Sequence, residues 1–130
     1  MTTSPTSSAT PSFIGRLRAR LGGQPADGRL RPKVKVAQAL ELVRDGATLL
    51  DVRENGEWKS GHAPGAIHVP LGDIDKAARR IKQGRPVVVM CASGMRSRTA
   101  AKHLRSLGYD ATSLSGGMAA WQRAGGAVRR

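Results

Sequence analysis

Cys91 is the only cysteine of the chain, and it closes the apolar run Pro86-Val87-Val88-Val89-Met90. Ala92-Ser93-Gly94-Met95-Arg96 follows, and a helical pattern begins at Ser97. A thiol there lies outside the carboxyl end of a buried parallel strand, where open α/β sheets place their chemistry. It also faces the positive end of a helix, which favours thiolate, the nucleophilic form of sulfur. A lone cysteine is commonly a small buried hydrophobe; the adjoining Ser93, Gly94 and Arg96 favour a nucleophile. A short loop containing Gly94 can turn its amides inward as an anion nest. Arg96 can face a bound anion or pair with a carboxylate. Ser97 can cap the helix or hydrogen-bond the thiolate. Together they lower a thiol's pKa and suit a covalent intermediate on sulfur.

The remaining reactive side chains read as structural. Asp51 and Arg53 end the strand-like run Thr48-Leu49-Leu50-Asp51-Val52. They lie near the rim of the expected site, and burial makes each costly unless they pair, so an ion pair is preferred to substrate contact. His62, within Gly61-His62-Ala63-Pro64-Gly65, is read as a turn-stabilising hydrogen-bond partner rather than a general base. His68 and His103 share no ligand spacing with it, so no metal site is expected. Trp58 and Trp121 are taken as core anchors. Gly116 and Gly117 suit a tight strand-to-helix turn near the loop, and Met95 could meet an acceptor.

Positioning these groups requires strands alternating with helices. Strands are expected over Val34–Val36, Thr48–Val52, Ala66–Pro70, Pro86–Met90 and Ala111–Leu114. Helices are expected over Ala37–Arg44, Glu54–Ser60, Ile74–Lys82, Ser97–Leu107 and Met118–Arg123. That order predicts an α/β fold with a central parallel sheet of about five strands, covered by helices on both faces. The domain is assigned to residues 32–130. Residues 1–31 read as a disordered or weakly helical basic arm and linker: Thr, Ser, Pro and Ala dominate its first twelve positions, and Gly22–Arg31 is linker-like. Phe13–Leu21 reads first as unstructured basic chain. A short amphipathic helix and a transit peptide are the alternatives.

With 130 residues, one domain is the natural expectation. A single cysteine permits no internal disulfide, and no run approaches the roughly 20 apolar residues of a membrane span. No secretory signal is evident, so a cytoplasmic location is expected. The net charge is +13. Nucleic acid is the first partner such a charge suggests. There is no zinc spacing and no basic heptad, however, and aromatic residues make up 3% of the chain, so no nucleic-acid function is read. Between Lys76 and Tyr109 lie nine basic residues and no acid, with Cys91 among them. Such a field draws small anions toward the thiol.

Three ordered motifs resemble a known family. Leu50-Asp51-Val52-Arg53-Glu54, Glu57-Trp58 and Gly61-His62-Ala63-Pro64-Gly65-Ala66-Ile67 with Pro70 resemble the rhodanese signature. Cys91, Gly94, Arg96 and Ser97 fit its active-site loop, Cys-x-x-Gly-x-Arg-Ser. Gly116, Gly117, Trp121 and Gly125 fit its C-terminal signature. The resemblance runs over about residues 33–128. It implies a rhodanese-like three-layer fold and thiosulfate sulfurtransferase-type chemistry without cofactor or metal. A Cys91 persulfide would carry sulfur from a small anionic donor to a thiol, cyanide or an acceptor protein. The loop Ala92, Ser93, Gly94, Met95, Arg96 and Ser97 would hold the substrate, and the Ala92–Arg96 amides the anionic sulfur.

Two rivals stand beside this reading. Cysteine-dependent phosphatases place one residue more between cysteine and arginine than the four found here, Ala92 to Met95; the shorter loop suits a sulfane sulfur better than a phosphate. A non-catalytic rhodanese-like module that binds a partner protein would not need the cysteine, and an exposed reactive thiol is a liability without a use.

Overall fold

The computed structural model describes residues 29–130, and Pro32–Arg130 pack as one unit. The expectations for the arm over residues 1–28 fall outside the described residues. The elements run β1 (Lys33–Val34), α1 (Val36–Arg44), β2 (Thr48–Asp51), α2 (Asn55–Ser60) and β3 (Ile67–His68). A 3₁₀ segment (Leu71–Arg79) comes next, then β4 (Val87–Met90), α3 (Met95–Ser106), β5 (Ala111–Leu114) and α4 (Gly117–Arg123). The five strands are all parallel and stand in the order β1-β5-β4-β2-β3. β4 is central and carries Cys91 at its carboxyl end. All four of its residues are buried, as its unbroken apolar sequence requires of a strand covered on both faces.

Strand alternation divides the core. Leu50 and Val52 of the β2 run, Val87, Val89 and Cys91 of the β4 run, and Ala111 of β5 pack with Ala100, Ala101 and Leu104 of α3. Ala77 and Ile81 join them from the 3₁₀ segment and its end. The intervening residues Leu49, Val88, Met90 and Leu114 point to the opposite side. There α1 lies against β4 and buries Ala39 and Leu42.

Several boundaries differ from expectation. β1 stops at Val34, because Lys35 caps α1 in an extended conformation and Val36 already belongs to the helix. The edge strand β3 covers Ile67–His68 only. Its pairing nevertheless continues, with the Val69 and Leu71 amides donating to the carbonyls of Asp51 and Val52, each at 3.0 Å. The helix expected over Ile74–Lys82 is instead a 3₁₀ segment that starts at Leu71 and bends at Asp73 (φ −110°, ψ 21°). Pro70 ends the strand, and Gly72 and Asp73 are poor helix formers. The tight turn from Pro70, with the Asp73 amide 2.8 Å from the Pro70 carbonyl, starts the segment three residues early.

The difference that matters most is at α3, which begins at Met95 rather than Ser97. Gly94 adopts φ 112°, a left-handed conformation open to glycine, and turns the chain straight into the helix. Met95 and Arg96 therefore belong to the first helical turn, and the loop proper is Ala92–Gly94.

Candidate active site

Cys91 is 1% exposed, so the exposed thiol of the sequence reading is in fact enclosed. Its Sγ accepts a hydrogen bond from the Gly94 amide at 3.0 Å. The thiol lies 3.5 Å from the Ser97 hydroxyl. Ser97 is itself fully buried; its Oγ reaches the Gly94 carbonyl (3.2 Å) and the Ser113 hydroxyl of β5 (2.7 Å). Burial alone pushes the Cys91 thiol up. The Ser97 hydroxyl and the amides of Ser97, Gly94 and Ser93 outweigh burial, and the thiol ends below its ordinary range.

The cup rests on a glycine turn. The Met118 amide donates to the Cys91 carbonyl at 2.8 Å. A Cβ added to Gly117 would lie 2.2 Å from that carbonyl oxygen and 2.6 Å from the carbonyl carbon of Ala92. Only glycine permits this approach. Gly94 meets the same turn, its Cβ position lying 3.3 Å from the Gly116 nitrogen. Two glycine-bearing segments far apart in sequence thus shape one loop.

Arg96 forms a bidentate ion pair with Glu57 of α2, at 2.7 and 2.8 Å. Of the two roles open to it in sequence, the carboxylate partner is the one observed. Glu57 also accepts from the Glu54 amide at 2.9 Å and completes a capping box at the start of α2. Glu57 was part of the quoted signature but had no assigned role. A carboxylate 39 residues away in sequence gives no periodic signal linking it to Arg96.

The bond to Arg96, opposed by burial and aided by the Glu54 amide, lowers the Glu57 pKa from 4.5 to about 2. Arg96 is correspondingly held protonated. This depressed carboxylate stabilises the fold fully above pH 4.5, and its contribution is lost as pH falls toward 2. About a third of each side chain is exposed, so solvent screening limits the pair to under about 1 kcal/mol. Urea denaturation of parent and Glu57→Gln should therefore differ slightly at neutral pH and converge as pH falls from 4.5 to about 2. A difference that persists at the acid end would show that the ion pair is not its source.

Asp51 and Arg53 stand at and just beyond the carboxyl end of β2, where Asp51 is opposite Met90 of β4. They form a buried ion pair, 0% and 5% exposed. Arg53 Nε and Nη2 lie 2.8–3.1 Å from the Asp51 carboxylate, and Nη2 also donates to the Gly61 carbonyl at 2.7 Å. Trp58 is half-buried and is not a core anchor, since α2 buries none of its residues. Its indole stacks parallel to the rings of His62 and His68, with centroids 3.6 and 4.6 Å away. His62 donates from Nδ1 to the Trp58 carbonyl at 2.8 Å, and His68 from Nε2 to the Arg53 carbonyl at 2.7 Å. Trp121 is buried and donates to the Ala127 carbonyl. Met95 stands 74% exposed on the first turn of α3. Among the described residues no group of His, Cys, Asp and Glu is arranged to hold a metal ion, and no helix is long and apolar enough to cross a membrane.

The rhodanese-like domain family model matches residues 35–124. YtwF of Bacillus subtilis, a candidate sulfurtransferase, is 38% identical over 74 residues, 57% of this chain and 72% of that protein. A candidate sulfur carrier protein of the same organism, YrkF, is 35% identical over 65 residues, half of this chain; the match spans only 35% of YrkF. The rhodanese-related protein of Thermoplasma volcanium superposes with a TM-score of 0.69 at 27% identity, covering 76% of this chain and 98% of that one. The family match spans β2 to β5, the cysteine loop and the glycine turn beneath it, and the chain belongs to the rhodanese-like domain family.

Proposed function

We propose that the protein is a sulfurtransferase that carries a sulfane sulfur on Cys91. The observation that carries this reading is the sulfur's surroundings: an amide at 3.0 Å, a buried hydroxyl at 3.5 Å and a thiol pKa lowered despite 1% exposure. Such a cup stabilises negative charge on the sulfur and on one further atom attached to it.

In the first half-reaction the Cys91 thiolate attacks the outer sulfur of a donor such as thiosulfate. A Cys91–sulfur bond forms, the donor's sulfur–sulfur bond breaks, and sulfite leaves with the bonding electrons. In the second, an acceptor nucleophile (cyanide, a thiolate or a protein thiolate) attacks the outer sulfur. The persulfide bond breaks and Cys91 returns as thiolate. Oxidation states balance without a cofactor, and the two displacements predict ping-pong kinetics. The closed Arg96–Glu57 pair is nearly neutral, so the reading assigns charge stabilisation to the amides and to Ser97 rather than to a free cation. A cytoplasmic setting suits a lone thiol that must stay reduced.

Intact-protein mass spectrometry of reduced protein after incubation with thiosulfate tests the reading. A gain of one sulfur atom is expected, removed by cyanide or dithiothreitol and absent in Cys91→Ser. No gain at any donor concentration would overturn it and favour a partner-binding role.

A further inference from the structure

Proton counting around Ser97 points to a residue on the far side of the sheet pairing. Ser97 Oγ has one proton and three neighbours: Cys91 Sγ at 3.5 Å, the Gly94 carbonyl at 3.2 Å and Ser113 Oγ at 2.7 Å. Cys91, Ser97 and Ser113 are all 0–1% exposed, so bulk water does not settle their bonds. If Ser97 gives its proton to Ser113, neither the Gly94 carbonyl nor the sulfur receives a hydroxyl proton. If Ser113 donates instead, its own proton is used and the Ser97 proton is free. The second arrangement makes more bonds and leaves no buried hydroxyl idle.

We propose that Ser113 is a positioning residue for the nucleophile: by donating to Ser97 it leaves the Ser97 proton free to turn onto the Cys91 sulfur. In the thiol state the S–H donates to Ser97 Oγ while the Ser97 hydroxyl donates to the Gly94 carbonyl. On ionisation the S–H proton departs and the Ser97 hydroxyl swings from that carbonyl onto the thiolate. The Gly94 carbonyl keeps the Arg98 amide at 3.3 Å. Throughout, Ser113 holds Ser97 Oγ from behind, and a hydrogen bond to a charged sulfur is stronger than one to a neutral carbonyl. The same arrangement serves a persulfide, whose inner sulfur has no proton to give.

The charged groups around the sulfur are few and stay unchanged when Ser113 is altered. α3 and α2 bring Arg96, closed on Glu57, with Glu54 beside them. β2 and its end bring the Asp51–Arg53 pair. α4 brings Arg123, whose guanidinium lies 3.9 Å from the Cβ position of Gly116. On the 3₁₀ segment Asp73 and Asp75 are taken up by Lys76 and His103. β5 contributes only the hydroxyl.

The inference deepens the sulfur-transfer reading, but its test reads ionisation alone and stands whether or not a persulfide forms. With one cysteine in the chain, the ultraviolet thiolate absorbance reports a single group. It is titrated against pH in the parent, Ser113→Ala, Ser97→Ala and the double variant, with circular dichroism confirming the fold of each. Ser113→Ala should move the midpoint upward, lowering the thiolate fraction about two- to tenfold on the acid side, the worth of one hydrogen bond. The curves should merge at alkaline pH. In the Ser97→Ala background, Ser113→Ala should add nothing. An unmoved midpoint in Ser113→Ala, or a shift that adds in full to that of Ser97→Ala, would overturn the proposal.

Discussion

Asp51→Asn is expected to destabilise the protein by about 3–5 kcal/mol, the cost of leaving a buried charge without its partner. Arg53 is 5% exposed and its guanidinium meets the Asp51 carboxylate along one edge. Its backbone amide also donates to Asp51 Oδ1 at 3.0 Å. Asparagine keeps the shape but presents a neutral oxygen and an N–H₂ group to a fixed cation. The damage should spread, because Arg53 also holds the Gly61 carbonyl, and its own carbonyl receives His68. Urea denaturation checks the size of the effect. Replacing both residues, as Asp51→Leu with Arg53→Met, should cost less than either single change, since no charge is then stranded. A double variant as unstable as the two single losses added together would show that the residues do not act as a pair.

Gly117→Ala should be nearly as damaging, and should strike activity harder. Gly117 has φ +54°, which alanine tolerates at a cost of about 1–2 kcal/mol. The larger problem is contact: the new methyl would lie 2.2 Å from the Cys91 carbonyl oxygen, so backbone must move. The expected destabilisation is about 3 kcal/mol or more. The part that moves is the segment presenting Sγ to its donors. A displacement on the order of 1 Å there should cut sulfur transfer at least about a hundredfold. Gly125→Ala is the comparison, for Gly125 also has positive φ (+82°) but nothing within 4 Å of its Cβ position. It should bear only the backbone cost and keep its transfer rate. Equal loss of rate in the two variants would refute the contact argument.

Much of this architecture is legible in the sequence because it follows from short-range rules. The run Val87–Met90 could only be a strand buried on both faces, and Gly94 before a helical pattern could only be a turn. The cysteine loop was legible for the same reason. What escaped reading depends on neighbours far along the chain. Glu57 meets Arg96, and Ser113 meets Ser97, only because β2, β4 and β5 lie side by side. Trp58 was read by residue type as core, yet its helix buries none of its residues, and the indole stacks on His62 beyond the helix and His68 of β3 instead. The start of α3 was placed two residues late because Met95 and Arg96 looked like loop chemistry; the φ of Gly94 decides that boundary.

The strand order also bears on how the chain acquires its reactive group during synthesis. β2 with β3 and β4 with β5 pair as neighbours in sequence, but β2 waits for β4, as Thr48 opposite Val87 shows, and β1 waits for β5, as Lys33 opposite Ser113 shows. Pairings of such separation form late and slowly. The groups that lower the Cys91 pKa all lie downstream of it: Ser97, Gly94 and Ser93. A growing chain that has just added residue 91 therefore carries an ordinary thiol. The thiol pKa falls only when Ser93, Gly94 and Ser97 have been added and the start of α3 has folded around the sulfur, so copies in which that segment is unfinished or misfolded keep an ordinary thiol.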